Sequence, residues 1–390
     1  MRNISDIKNC YGCGLCATIC ARNIIEISHN SEGFYEPKIV NKSKCTNCGL
    51  CTEVCSYLQN DIANNPIDIK AYAAWSKAEP IRHKCSSGGV GFEIGRKLME
   101  DGYKVCSVKY NAEKNIAEHY IATTPEELIP SMGSKYIQSY TVDAFRNINR
   151  KEKYLVVGTP CQIDSFRRYI QKFRVEDNFV LVDFFCHGVP SYIAWKAYSK
   201  DVEKKIGPIS NVVWRHKYNG WHDSWAMSID AKGASKDIIE KNEVYGLYIE
   251  ETKGRHFRKM SENDEFYSLF LGNNCLGKAC YSHCKYKYMN SSADIRLGDL
   301  WGTKYKDNQK GVSSVITFTS KGESIINSLE CIEKTEHDIK IVAEGQMEHK
   351  IKYPYLVRPI IISMAKCGIP VKGLSFVSRA TNKLKRMLKL

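Results

Sequence analysis

The most constraining feature of this 390-residue chain is a short cysteine motif that occurs twice near the N-terminus. Both copies have the spacing C-x2-C-x2-C-x3-C, with Cys10, Cys13, Cys16 and Cys20 in the first and Cys45, Cys48, Cys51 and Cys55 in the second. The two stretches, CYGCGLCATIC and CTNCGLCTEVC, agree at six of eleven positions. An internal repeat of this kind indicates two equivalent structural halves.

This spacing predicts two 4Fe–4S clusters. Three thiolates at two-residue intervals wrap one face of a cubane, and the fourth, about one turn further on, reaches the other cluster. We therefore expect one cluster on Cys10, Cys13, Cys16 and Cys55, and the other on Cys45, Cys48, Cys51 and Cys20. Gly14 and Gly49 let the loop backbone approach the sulfides closely. The motif resembles the bacterial two-cluster ferredoxin module, although Ala21 and Ser56 stand where proline usually follows the fourth cysteine.

Zinc is the alternative metal, because paired C-x2-C motifs also form zinc ribbons, and the chain would then be a zinc-stabilised binding module. Zinc leaves no use for the third and fourth cysteines of each copy, so iron–sulfur is favoured. The chain has 17 cysteines, no apolar signal region at its start and no stretch near the roughly 18 apolar residues of a spanning helix. These features predict a cytoplasmic protein, in which thiols stay reduced and serve metal or redox chemistry.

Beyond the repeat, the pattern changes to that of a globular α/β protein. A polar segment at 61–68 is typical of a linker, and residues 90–99 have helical periodicity. Apolar runs at 103–108, 154–157 and 179–184 predict strands, and the last two end in turns that contain cysteine. We expect a mixed sheet whose ligands bind at the carboxyl ends of its strands. The predicted domains are a ferredoxin-like domain at 1–62, an α/β core at 63–330 and a basic C-terminal region at 331–390.

Six further blocks follow in a fixed order: SSGGV at 86–90, GSKYIQS at 133–139, GTPCQI at 158–163, CHGVPS at 186–191, NNCLGKACYSHC at 273–284 and ADIRLGDLWG at 293–302. Together they resemble the beta subunit family of coenzyme F420 hydrogenases and dehydrogenases. The resemblance runs from the cysteine repeat to about residue 323. It is strongest with the stand-alone bacterial and archaeal members that carry a fused ferredoxin domain.

That resemblance implies a core that binds FAD and a third 4Fe–4S cluster. The cluster ligands it implies are Cys161, Cys186, Cys280 and Cys284, with Cys275 as a possible substitute. The chain departs from the family at the last pair, which is C-x3-C where relatives usually have C-x2-C. The alternative for Cys161 and Cys186 is that they are inert buried thiols at strand ends.

The flavin site is predicted less directly. Small residues with free N–H groups before a helix suit a phosphate, although a glycine pair is also a common helix start. With the resemblance, the expected cofactor-binding residues are Ser86, Ser87, Gly88, Gly89, Ser134, Lys135, Tyr136, Gly158, Thr159, Pro160 and Asp299. Lys135 would supply a cation for the pyrophosphate or the flavin, and Asp299 would bind a ribose hydroxyl or cap a loop. Lys135 and His187 are the candidate catalytic residues, with a surface lysine and a structural histidine as the alternatives.

Two segments outside these blocks are distinctive. The aromatic run WRHKYNGWHDSW at 214–225 predicts a β-hairpin that turns at 218–220 and has aromatic cross-strand pairs, with a cover over the flavin as the alternative. The chain carries a formal charge of +14, and residues 349–390 contain ten Lys or Arg and no acidic residue. At 374–390 a helical face carries Val377, Ala380, Leu384, Met387 and Leu388. This helix is expected to dock on the core, with an anionic membrane surface as the alternative. Nucleic acid is not an expected partner, because no binding motif accompanies the charge.

The sequence therefore predicts an iron–sulfur flavoprotein oxidoreductase. Clusters would pass single electrons and FAD would exchange two electrons with an organic substrate. The expected partners are a redox carrier protein or the deazaflavin coenzyme F420. The location is cytoplasmic, with the inner face of the membrane as the alternative site. The alternative function is a non-catalytic electron-relay subunit of a larger redox complex.

Overall fold

The computed structural model describes residues 3–64, 69–234, 236–242, 247–252 and 254–387. Within these ranges, no helix combines the length and apolar character that crossing a bilayer requires. Half of the predicted linker, residues 65–68, lies outside the described part of the chain. The remaining residues connect the cysteine repeat to the first strand of a large sheet.

The described strands form one large sheet and three small ones. In chain order they are β1 (Ile25–His29), β2 (Tyr35–Ile39), β3 (Lys70–Ser76), β4 (Lys104–Asn111), β5 (Ile116–Ala122), β6 (Ser139–Tyr140), β7 (Tyr154–Val157), β8 (Phe179–Phe184), β9 (Ile209–Val213), β10 (Ala226–Ala231), β11 (Lys236–Asn242), β12 (Leu247–Thr252), β13 (Arg255–Lys259), β14 (Ile295–Asp299), β15 (Ser313–Thr317) and β16 (Ile332–Glu336). The large sheet has the order β16-β3-β15-β14-β8-β7-β4-β5-β6, and the small ones are β1-β2, β13-β10-β9 and β11-β12.

The α-helices of the described ranges are, in chain order, α1 (Leu15–Ile19), α2 (Leu50–Glu53), α3 (Glu79–Lys84), α4 (Val90–Glu100), α5 (Pro125–Leu128), α6 (Val142–Arg146), α7 (Pro160–Phe173), α8 (Tyr192–Ile206), α9 (Glu265–Phe270), α10 (Lys278–Ser282), α11 (Ser320–Ser328), α12 (Ile339–Val342), α13 (Val357–Lys366) and α14 (Val371–Met387). The longer ones begin at residues that favour helix starts. Pro160 occupies the first turn of α7, and the N–H of Thr159 is satisfied by the Gln162 side chain at 2.9 Å.

The centre of the large sheet is parallel, because β14, β8, β7 and β4 run in one direction. The flanking strands β15, β3, β16 and β5 add antiparallel pairs. Leu155 of β7 aligns with Val105 of β4 and Val180 of β8, and all three are buried. Strands covered on both faces are continuous apolar runs, which is why the sequence predicted β7 and β8 with their observed bounds. The predicted α/β class with a mixed sheet is confirmed.

Apolar layers cover both faces of this sheet, and alternate strand residues point into each. Ile94 and Leu98 of α4 pack in one layer. Ile163 and Phe166 of α7 pack in the other, and the same buried cluster contains Leu15 of α1. The cysteine repeat therefore shares its core with the α7 face of the main sheet.

Residues 214–225 connect β9 to β10, which pair in an antiparallel direction. The chain does turn at 218–220, where the Gly220 N–H donates to the Lys217 carbonyl at 3.0 Å. The predicted aromatic cross-strand pairs are wrong, because both strands end outside the aromatic run. Trp214 instead packs against Trp195 of α8, and Trp221 stacks on Trp301, with ring centroids 5.1 Å apart. The run thus joins the small sheet to the core.

The C-terminal helix α14 docks on the core through buried residues such as Leu374, and the Ser378 hydroxyl donates to the Ser268 carbonyl at 2.7 Å. Its docking face is not the apolar face that the sequence predicted. Val377 of that face is half-buried, and Leu388 lies outside the described residues. Its other members are exposed: Ala380, Leu384 and Met387.

Candidate functional site

The first group of repeat cysteines surrounds a single cavity. Four thiols line it, which we call the inner set: Cys10, Cys13, Cys16 and Cys55. Apolar side chains, among them Ile4 and Ile7, complete the wall. In each copy a left-handed glycine begins the short helix that carries the third cysteine, namely Gly14 with φ 78° and Gly49 with φ 81°. The turn chemistry of the repeat thus positions its thiols.

The remaining repeat cysteines form a second group, of which one member is exposed. We call them the outer set: Cys20, Cys45, Cys48 and Cys51. Cys48 is exposed, and the Asn3 side-chain amide lies 3.8 Å from the Cys45 sulfur. Burial raises the pKa of Cys51, and the neighbouring thiols of Cys48 and Cys20 raise it further. The outer set thus brings Cys20 of the first copy close to Cys48 and Cys51 of the second.

The protonation of these thiols tests whether they suit a cluster. Burial raises the pKa of every inner-set cysteine, that of Cys55 to about 12. A buried thiol becomes a thiolate only beside compensating positive charge, which cluster iron supplies. Among the described residues, no three Cys, His or carboxylate side chains converge on a single-ion site. Four thiols around one cavity are the donor set that a cubane requires, so the inner set fits an iron–sulfur cluster.

A second cavity brings four core thiols together, which we call the core set: Cys161, Cys186, Cys280 and Cys284. Cys161 lies in the first turn of α7, and Cys186 follows β8. The unusual C-x3-C spacing places the other two about one helical turn apart at α10. Cys275 is fully buried and does not line this cavity, and its carbonyl accepts the Ser191 N–H at 2.8 Å.

These cavities adjoin one another and lead to a third. Cys10 and Tyr11 line both the inner-set and the core-set cavities. Thr159, Cys186 and Lys287 line both the core-set cavity and a much larger one. The inner-set cavity therefore adjoins the core-set cavity, which in turn adjoins the large cavity.

The large cavity has a volume of about 480 Å³ and lies beyond the carboxyl ends of β7, β8 and β14. Most of the residues that the sequence predicted to bind cofactor line it: Ser86, Ser87, Gly89, Ser134, Lys135, Tyr136, Gly158, Thr159 and Asp299. Gly88 does not, because it packs against the backbone of Ala74 and Ser313, where a Cβ would have no room. Pro160 lines the core-set cavity instead.

Both candidate catalytic residues line the large cavity. The Lys135 ammonium donates to the carbonyls of Pro130, Met132 and Gly133 at 2.8–3.0 Å, and burial lowers its pKa to about 7. Burial likewise lowers the pKa of His187 to about 4, and its Nε2 lies 2.6 Å from the Asn273 side-chain oxygen. At neutral pH the histidine is therefore uncharged and held by a neighbour.

Asp299 has partners for both carboxylate oxygens. Arg215 donates to one at 2.9 Å and the Trp221 indole donates to the other at 3.2 Å. The Arg215 guanidinium is fully buried and lies over the rings of Trp225 and Trp301, both of which line the cavity. These contacts hold the neighbouring aromatic residues in place, and the two roles predicted for Asp299, binding a ribose hydroxyl or capping a loop, stay predictions.

Sequence reasoning missed several lining residues. Lys287 donates to the carbonyls of Cys186 and His187 and separates the core-set cavity from the large one. Its only sequence signal is that it follows Cys284 closely. Trp225 stacks on Tyr136 with ring centroids 5.5 Å apart, so the aromatic run does wall this cavity.

An ordered array of thiols beside a cavity at the carboxyl edge of a parallel sheet defines an iron–sulfur redox protein. A model described as "4Fe-4S dicluster domain" matches residues 9–58. The N-terminal and C-terminal models of the coenzyme F420 hydrogenase/dehydrogenase beta subunit match residues 71–146 and 151–340. The chain belongs to the coenzyme F420 hydrogenase/dehydrogenase beta subunit family.

Two individual proteins are similar to the chain. The coenzyme F420 hydrogenase subunit beta of Methanococcus voltae is 31% identical over 126 residues, or 27% of this chain. The match spans 45% of that relative, which is less than half its length. A chain from the structure of the F420-reducing NiFe hydrogenase complex of Methanosarcina barkeri has 15% identity and a TM-score of 0.46, covering 85% of this chain and 96% of that one.

Proposed function

We propose that this chain is a cytoplasmic oxidoreductase that binds three 4Fe–4S clusters and one FAD. The observation that carries the proposal is the row of two adjoining thiol-lined cavities that ends at a third cavity of about 480 Å³. The inner and outer sets would hold the repeat clusters, and the core set would hold the third. The proposed division of the chain remains 1–62 for the repeat, 63–330 for the core and 331–390 for the basic region.

The large cavity suits a flavin dinucleotide. Cofactor cavities span about 300–1,000 Å³ and combine apolar walls with a few polar groups, and this one has the aromatic wall of Tyr136 and Trp225. The start of α4 follows Ser87 and Gly89, so its unpaired N–H groups suit a phosphate. Bound FAD would supply hydride exchange with an organic substrate and single-electron exchange with the clusters.

The chain's own residues have distinct tasks in this proposal. Lys135 presents its amino group at the cavity wall, held by three carbonyls, and its pKa of about 7 leaves it partly protonated at neutral pH. Arg215 and Asp299 fix the aromatic wall on the other side. The exposed Cys48 makes the outer set the place where a redox carrier exchanges electrons with the chain. The deazaflavin coenzyme F420 or another organic substrate would exchange electrons at the large cavity.

Anaerobic purification with iron, sulfide and flavin analysis tests this proposal. We expect about twelve irons, since each cubane has four, and one FAD per chain. Cys161→Ser should lower the iron content to about eight while leaving the flavin bound. Cys275→Ser is the matched control, because that thiol is buried but lines none of the cavities, and it should retain about twelve irons. Zinc in place of iron, or eight irons in the unmodified chain, would contradict the cluster assignment.

Turnover separates the enzyme from the relay alternative. The isolated chain should reduce an artificial acceptor with reduced coenzyme F420 as donor, and Lys135→Met should weaken FAD binding. Lys334→Met is the control, since Lys334 also donates to a carbonyl but lies outside the cavity. Bound clusters without bound flavin or turnover would favour a relay subunit.

A further inference from the structure

Helix α14 carries apolar side chains on two different sides. One side docks on the core and is buried at Val371, Leu374, Ser375 and Ser378. Asn274 donates to Ser378 there at 2.8 Å. The fold therefore needs only this side of the helix for its own packing.

The opposite side forms a line of exposed apolar residues, which we call the outer stripe: Phe376, Ala380, Leu384 and Met387. Their spacing of three and four residues places them on one side of the helix. Phe376 is 67% exposed, Leu384 54% and Met387 72%. Three large apolar side chains in a row on one exposed helix side are uncommon unless they bind something.

The concentration of exposed apolar residues in this region is itself unusual. Seven of the twelve exposed large apolar residues in the described ranges lie between positions 355 and 387. The other five are scattered singly from Val40 to Met260, as is normal for a protein surface. The patch therefore belongs to the C-terminal helices.

The charge around the outer stripe indicates its occupant. Residues 349–390 contain ten Lys or Arg and no acidic residue. Lys372 and Lys383 of α14 are exposed beside the stripe. At the start of the helix, Lys372 shares a cavity with Lys204 and Lys205 of α8, in which Asp201 and Glu265 offset part of the charge. The surroundings keep a positive excess, which is complementary to an anionic surface.

We propose that the outer stripe binds the surface of an anionic phospholipid membrane. Phe376, Leu384 and Met387 would enter the boundary between headgroups and acyl chains, and the neighbouring lysines would contact lipid phosphates. A helix already docked by its other side presents these groups without a folding step. The outer stripe lines neither the thiol-lined cavities nor the large cavity, so the proposal stands or falls independently of the proposed function.

Sedimentation with lipid vesicles tests the proposal on the full holoprotein, purified anaerobically. We expect binding to an equal mixture of phosphatidylglycerol and phosphatidylcholine, weak binding to phosphatidylcholine alone, and a decrease as salt is added. Replacing Phe376, Leu384 and Met387 together by serine should weaken binding at least about tenfold. Because these side chains are exposed, the variant should keep its visible spectrum and thermal midpoint.

A matched control changes three exposed apolar residues elsewhere, Ile129, Phe173 and Met260, to serine. That variant should bind the mixed vesicles as the unmodified chain does. Equal loss in both triple variants, or equal binding of the unmodified chain to both vesicle types, would overturn the proposal. So would failure to bind vesicles combined with an altered oligomeric state in the stripe variant, which would assign the surface to a protein contact.

Discussion

The two copies of the cysteine motif agree at six of eleven positions, yet they lie in different surroundings. The first copy is held against the core: the Thr141 hydroxyl donates to the Cys13 carbonyl at 2.9 Å, and Arg146 donates to the Ala17 carbonyl at 3.1 Å. The second copy reaches the surface, where Cys48 is exposed. Its helix α2 packs Cys51 in the buried core cluster and makes an exposed ion pair through Glu53 with Lys172.

This difference shows that one ligand pattern can serve two positions in a relay. The spacing of the thiols determines that a cluster binds, whereas the neighbours determine what it can reach. The inner set adjoins the core-set cavity through Cys10 and Tyr11, and the outer set faces solvent. If the proposed relay is correct, loss of the inner cluster must reduce electron transfer to the core more than loss of the outer cluster does.

The largest predicted effect comes from removing one ligand of each copy. Cys13→Ser and Cys48→Ser should each lower the iron content from about twelve to about eight per chain. Only Cys13→Ser should reduce electron transfer from a small soluble donor to the core to background, because the inner set is the link to the core. Stopped-flow spectra would show this. Faster transfer in Cys13→Ser than in Cys48→Ser would contradict the order of sites.

The two left-handed glycines give a second contrast. A Cβ at Gly14 would overlap the Thr141 hydroxyl, whereas a Cβ at Gly49 meets only the Glu53 carboxylate at 3.9 Å. Alanine costs about 1–2 kcal/mol at either position for its backbone conformation, and about 1–3 kcal/mol more at Gly14 for overpacking. Gly14→Ala should therefore destabilise the protein by about 2–5 kcal/mol and Gly49→Ala by about 1–2 kcal/mol in urea unfolding. Equal losses would show that the first copy is not packed as described.

The strands β7 and β8 and the grouping of the repeat cysteines could be predicted from the sequence because both depend on local spacing, whereas the core set was predicted from the family resemblance. A cubane requires thiolates at short fixed intervals, and a strand buried on both faces is a short apolar run, as in β7 and β8. The docking of the first copy on Thr141 joins residues 128 positions apart, so no local pattern records it.

The predictions that were wrong also concern contacts between residues that are far apart in the sequence. The local pattern of the aromatic run at 214–225 predicts cross-strand aromatic pairs. It cannot show that the actual partners are distant residues such as Trp195 and Trp301. The buried face of α14 contains two serines: the Ser375 hydroxyl donates to the Lys372 carbonyl of the same helix, and the Ser378 hydroxyl donates to the distant Ser268 carbonyl. A hydropathy pattern therefore selected the wrong side of that helix.

A lysine, Lys287, lies beside the core set. Lys287 donates to the carbonyls of Cys186 and His187, and its charge favours the reduced, more negative state of a cluster. Lys287→Met should lower the midpoint potential of the core cluster by on the order of 100 mV, the effect of a unit charge several ångström away at an effective dielectric constant of about 20. Lys321→Met is the matched control, because Lys321 also bridges two carbonyls, those of Glu176 and Phe179. Equal potentials in both variants, measured by EPR-monitored titration, would exclude this role.

The smallest predicted effects concern the contacts that hold each copy in place. Thr141→Val keeps the side-chain shape but removes the hydroxyl that binds the buried first copy, so it should cost about 1–2 kcal/mol of unfolding free energy. Lys172→Met removes an exposed ion pair of the second copy, which should contribute less than about 1 kcal/mol and should weaken as salt is added. Urea unfolding at two salt concentrations distinguishes the two contacts, because only the Lys172 difference should depend on salt. A larger effect at Lys172 than at Thr141 would mean that the second copy is the one anchored to the core.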